Sequence, residues 1–128
     1  MGAGVPHPRN YGAFARRIAR YVNERKTVPL EFALRSMTGL SADVMGIPDR
    51  GYLREGAWAD VLVFDPAAVH DLATYTKPHQ LAQGMWYVFV NGTPVVEKGE
   101  LNTALPGRVL LKPLKSATPP AGSGRGDQ

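Results

Sequence analysis

"GYLREGAWADVLVFDP", residues 51–66, is where the chain changes period. At its end Val61-Leu62-Val63-Phe64 is a continuously apolar, β-branched run bounded by Asp60 and by Asp65-Pro66. Such a run suits a strand covered on both faces better than a helical turn. The charged residues ahead of it read as a turn and a hairpin-like stretch, with no set of side chains that could carry chemistry. Downstream, Trp86-Tyr87-Val88-Phe89-Val90 and Pro94-Val95-Val96-Glu97 flank Asn91-Gly92. That dipeptide is the strongest short hairpin signal, because a type I′ turn needs positive φ at both central residues. Pro94 cannot donate to a ladder, so it belongs at an edge or on an outward-facing amide. Between the strands "HDLATYTKPHQLAQG" has no clear period and is expected to form a long ordered loop.

Upstream the period is helical. Tyr11, Phe14, Ile18, Tyr21 and Val22 recur at three- and four-residue steps, which predicts a helix over residues 10–25 with one apolar face and Asn10 as its N-cap. Arg16, Arg17 and Arg20 lie on or beside the opposite face; a solvated face is the simpler reading, a phosphate or carboxylate patch the alternative. A second helix begins near Pro29, buries Leu30, Ala33, Leu34 and Met37, and stops at Thr38-Gly39. A third, shorter one runs from a Ser41 cap through Val44 and Met45 to Gly46. Met37 and Met45 are expected in the core.

The composition excludes several classes. With 128 residues the chain fits one domain, and 44% hydrophobic and 20% charged residues describe an ordinary soluble protein. The net charge of +4 is spread along the chain, which argues against a nucleic-acid surface. No stretch approaches the length of a membrane span, and no basic segment followed by an apolar run stands at the start, so a cytoplasmic location is expected. There is no cysteine, hence no disulfide and no thiolate chemistry.

Candidate chemistry is sparse. His7, His70 and His79 are the three histidines, and none has HxH, HExxH or carboxylate-flanked spacing, so no metal ligand is assigned. His70 and His79 read as loop residues, with a site assembled by folding as the alternative. The loop His7-Pro8-Arg9 joins an imidazole to a guanidinium and could bind a carboxylate; otherwise it is an exposed entry to the first helix. Ser36 and Ser41 lack the surroundings of a nucleophile elbow. Asp60 and Asp65 could pair as carboxylates but more naturally cap turns. No glycine pattern cradles a phosphate.

The segment that looked chemically empty carries a resemblance. "GYLREGAWADVLVFDP" resembles the Gly-x-hydrophobic-x-x-Gly-x-x-Ala-Asp segment of the amidohydrolase superfamily, where it belongs to the small β-sandwich that follows a metal-dependent (β/α)8 barrel. That motif alone would fit hydantoinases and deacetylases equally. "HPRNYGAFARRIARYV", "LEFALRSMTGLSADVMGIPDRG" and "ATYTKPHQLAQGMWYVFVNGTPVVEKGELNTALPGRVL" together resemble the C-terminal region of D-aminoacylases, the N-acyl-D-amino-acid deacylases. Pro29 departs from the helix-capping serine common in that family.

The resemblance implies an α+β fold in which the last helices of the barrel, residues 1–50, precede C-terminal strands of the sandwich, residues 51–113; the residues after them, 114–128, have almost nothing to bury and are expected to form a disordered tail. It implies a Zn2+-dependent hydrolysis of N-acyl-D-amino acids to a carboxylic acid and a D-amino acid. In the family, zinc held by histidines and a bridging cysteine or modified lysine activates water, and a barrel aspartate moves its proton. Such a barrel needs about 250 residues, so the ligands and the aspartate are expected outside this chain, which would be inactive alone. No zinc ligand or catalytic residue is carried over. His7, Arg9 and Tyr11 match the family's stretch after the last barrel strand and are the candidate substrate-side residues. Apolar faces built to cover a barrel would lead the isolated chain to self-associate or to bind a separate barrel portion. The alternative is a stand-alone binding or assembly module derived from the same fold.

Overall fold

The computed structural model describes residues 4–111. Helix α1 (Arg9–Arg16) starts from Pro8, whose φ of −52° and ψ of −28° are already helical. The Tyr11 and Gly12 amides donate to the Pro8 carbonyl at 3.1 and 3.2 Å. The expected cap at Asn10 is therefore displaced: the fixed φ of a proline opens the helix without a side-chain cap, and Asn10 lies inside the first turn. From Arg17 to Glu24 the helix continues with π winding, and the Arg25 amide donates five residues back to the Arg20 carbonyl at 2.9 Å. Lys26, at φ 50°, breaks it.

Pro29, extended at ψ 147°, precedes α2 (Leu30–Met37) rather than lying within it. Helix α3 (Gly39–Met45) follows after the single residue Thr38 and is closed by Gly46 at φ 67°. Ser41 is not its cap. It sits within α3 and donates its hydroxyl to the Ser36 carbonyl at 2.8 Å, which stitches α3 to the end of α2.

The core sits where the first helix meets α2 and the chain around Val69. Ala15, Ile18 and Val69 are buried, and Leu30, Leu34, Met37, Phe64 and Met85 pack against them. Ala19, Ala33 and Ala42 are the other buried apolar side chains on the helices. Two expectations of burial fail. Phe14 is 73% exposed, and Tyr21, with the Arg25 guanidinium 5.8 Å from its ring, also reaches solvent, because it is Ala15 and Ile18 that face the core. Val44 and Met45 are exposed as well, because α3 buries Gly39 and Ala42 and leaves these two on its open side.

Strands β1 (Val61–Phe64), β2 (Met85–Val90), β3 (Thr93–Glu97) and β4 (Glu100–Leu101) form an antiparallel sheet in sequence order. The two-residue turn between β2 and β3 is the predicted one, with Asn91 at φ 51° and Gly92 at φ 80°. Pro94 lies on β3 before Val96 and Glu97, the residues that pair with β4, so its missing donor breaks no bond to that strand. Strand β1 corrects the reading of its apolar run. It is an edge paired only to β2, and Leu62 and Val63 are exposed because no second layer of described residues lies over it. Residues 70–84 form the expected loop, closed by a bridge between His70 and Gln83. No described helix is long and apolar enough to cross a membrane. The tail expected over residues 114–128 lies outside the described residues.

Candidate functional site

A cavity of about 540 Å3 opens between the start of α1 and the 70–84 loop, with His7, Arg9, Gly12, Arg16, Asp71 and Tyr75 on its walls. The loop can approach because Gly12 has no side chain; a Cβ there would stand 2.8 Å from the Asp71 Cβ. One turn further along, Arg16 Nη1 donates to Asp71 Oδ2 at 2.9 Å, fixing the loop to the helix across one wall.

Two of the three candidate residues, His7 and Arg9, stand at this mouth. His7 Nδ1 accepts from the Arg9 amide at 3.1 Å, and its Nε2 lies 3.2 Å from the Tyr75 hydroxyl. The His7 and Tyr75 rings meet edge to face with centroids 5.1 Å apart. Tyr11 turns to the far side of the loop, where its hydroxyl lies 2.9 Å from His79 Nδ1, and its ring meets the His79 imidazole at 5.5 Å. His79 Nε2 in turn lies 3.0 Å from the Gly4 carbonyl. Arg9 is exposed and, among the described residues, its guanidinium has no ion-pair or hydrogen-bond partner. The site thus offers an uncommitted cation beside two tethered rings, an arrangement suited to a carboxylate.

Other candidates are placed elsewhere. His70 spends its backbone on the Gln83 bridge and is not brought to the cavity. Asp65 accepts from the Ala67 amide at 2.9 Å, an ordinary turn cap. Asp60 accepts from the Asn91 amide at 2.8 Å and pairs with Arg50, so it ties the hairpin turn to the chain before β1. Tyr75 and Asp71 were not singled out in the sequence, because neither belongs to a motif and their partners lie far away in the chain.

The model of the amidohydrolase family matches residues 3–96. The chain belongs to the amidohydrolase family. Similar members include an N-acyl-D-aspartate deacylase of Alcaligenes xylosoxydans xylosoxydans, 43% identical over 105 residues, 82% of this chain and 21% of that one. The crystal structure of a D-aminoacylase superposes with a TM-score of 0.79 at 42% identity, covering 84% of this chain and 23% of the other. An N-acyl-D-glutamate deacylase from Bordetella bronchiseptica, solved with zinc and a phosphonate mimic of the tetrahedral intermediate, superposes with a TM-score of 0.69 at 48% identity over 71% of this chain and 19% of that one. The resemblance to D-aminoacylases is therefore real, and this amidohydrolase chain spans about a fifth of the length of its relatives.

Among the described residues no three His, Cys, Asp or Glu side chains come together where a metal ion could be held. The donors of the cavity do not fit zinc: His7 uses both ring nitrogens on protein partners and Asp71 is paired with Arg16, while His79, behind the loop, has both its nitrogens engaged as well. The roles open to these side chains are binding and positioning.

Proposed function

We propose that this chain contributes the substrate-side wall of a zinc-dependent N-acyl-D-amino-acid deacylase. The observation that carries the reading is the exposed Arg9 guanidinium at the mouth of a cavity walled by His7 and Tyr75, in a chain 42–48% identical to deacylases of this class. Arg9 would hold a carboxylate of the N-acyl-D-amino acid by a charge-assisted, two-pronged hydrogen bond. His7 fixes the backbone that carries Arg9. Tyr11 anchors the other end of the same short segment. When bound in the whole enzyme, zinc would supply a hydroxide and polarise the amide carbonyl. The zinc ligands are assigned to the part of such an enzyme that these residues do not represent, and the division into barrel-wall helices and sandwich strands belongs to the same proposal.

The test is to join the chain to the zinc-binding portion of a deacylase relative and to follow release of D-amino acid from N-acetyl-D-amino acids. Hydrolysis that falls at least tenfold in kcat/KM with Arg9→Ala, through KM, is expected for a lost charge-assisted contact of about 1.5–3 kcal/mol. A joined protein that folds, retains zinc and hydrolyses no N-acyl-D-amino acid overturns the reading, and a stand-alone assembly module then becomes the better account.

A further inference from the structure

The segment that carries His7, Arg9 and Tyr11 has few attachments of its own. Among the described residues, every hydrogen bond from residues 4–11 to a residue more than ten positions away runs to Tyr75 or His79. Both belong to the 70–84 loop, and they grip the segment at three points: Gly4, His7 and Tyr11. The loop itself is held to α1 by the Arg16–Asp71 ion pair and internally by Gln80, whose side-chain amide donates to the Leu72 and Lys77 carbonyls, each at 3.0 Å.

Proton placement in the two imidazoles follows from their partners. The Gly4 carbonyl can only accept, so His79 Nε2 carries a proton, and in the neutral imidazole its Nδ1 lone pair receives the Tyr11 hydroxyl. The Arg9 amide can only donate, so His7 Nδ1 is the bare nitrogen and the protonated Nε2 faces the Tyr75 oxygen. Both rings are therefore held as the Nε2–H form. A side chain that is pinned at both nitrogens cannot turn without losing a bond, which makes each pair a rigid strut rather than a loose contact.

We infer that Tyr75 and His79 are positioning residues that clamp the 4–11 segment so that the Arg9 guanidinium stands at the cavity mouth. The inference rests on the function proposed above for its substrate role and on its own geometry for the clamp. Neither residue touches the reacting atoms. Their work is to spare the substrate the cost of ordering the segment that binds it.

Two measurements decide it. In nitrogen NMR of the full 128-residue chain in mildly alkaline buffer, His7 and His79 should both appear as the Nε2–H form. Tyr11→Phe should then shift only the His79 Nδ1 signal, and Tyr75→Phe only the His7 Nε2 signal. The opposite tautomer at either ring, or signals indifferent to these changes, overturns the clamp. In the joined enzyme, Tyr75→Phe and His79→Ala should each raise KM about tenfold while leaving kcat within about twofold. Tyr11→Phe combined with His79→Ala should be no worse than the more severe single change, since the two remove one strut. His79→Gln, which still offers an acceptor and a donor, should recover most of the loss. Additive effects, a fall in kcat without a rise in KM, or no rescue overturns the positioning role. Wild-type joined enzyme without hydrolysis would instead sink the proposed function, and the NMR result would still decide the clamp.

Discussion

Gly12 carries a large consequence for a residue with no side chain. Its buried position lets Asp71 lie against the α1 backbone, and a methyl group there would meet the Asp71 Cβ at 2.8 Å. Gly12→Ala is expected to push the loop outward at a cost of about 1–3 kcal/mol, lowering the thermal midpoint and weakening both tyrosine–histidine pairs, which calorimetry and the nitrogen spectra would register together. Tyr52 gives a second residue-level outcome. Its hydroxyl donates to Asp43 Oδ2 at 2.6 Å; that hydrogen bond, reinforced by partial burial and by the carboxylate's charge, holds the phenol above the ordinary value of 10.0. A raised folded pKa means that the contribution is complete below about pH 10 and is lost as pH rises through the folded value. Tyr52→Phe should therefore flatten the loss of stability on the alkaline side, measured by urea unfolding against pH, and leave the slope at neutral pH unchanged. An alkaline limb as steep as that of the wild type would show that the hydrogen bond to Asp43 contributes nothing.

Among the elements, the β2–β3 hairpin is the one whose turn is held from several sides. Asn91 receives Arg50 Nη2 on its side-chain oxygen at 2.6 Å, donates Nδ2 to the Pro106 carbonyl at 2.7 Å, and sits at φ 51°. Asn91→Ala loses both side-chain bonds and keeps an unfavourable backbone, so a loss of about 2–3 kcal/mol is expected by denaturant unfolding; Asn91→Asp, which keeps the acceptor and tolerates the turn, should lose less. This hairpin was legible in the sequence because Asn-Gly states a local backbone requirement that no distant contact has to supply. The helices were legible for a related reason, since apolar spacing reports the axis of a helix. It does not report the winding, so the π segment over Arg17–Glu24 left no trace in the same spacing. Nor does it report what lies above a face: the runs that place Phe14, Leu62 and Val63 say that these residues suit an interior, and the described structure leaves them outside. His7, Arg9 and Tyr11 could be nominated from their local motif and its family resemblance. Tyr75 could not, because its partner stands 68 positions away and neither residue signals the other.

For the molecule as a whole, the balance of inside and outside governs behaviour in solution. Its only fully buried large side chain among the described residues is Val69, while Phe14, Phe32, Trp86 and Leu62 are all more than half exposed. Such surface favours association, so sedimentation at rising concentration should give an average mass above 13.9 kDa, with Phe14→Ser and Leu62→Lys together bringing it back toward that value. A strictly monomeric chain at all concentrations would contradict this expectation. The same economy of interior contacts sets an order of events in time. The two-residue turn lets β2 and β3 close within about 1–10 μs, whereas the bonds of His7 and Tyr11 each join residues 68 positions apart and must wait for a long loop to close. The candidate site is thus the last part of the chain to assemble and the first to come undone: under gentle destabilisation the Arg9 amide should exchange its hydrogen before those of the hairpin, and ligand binding would be felt as a brake on that opening.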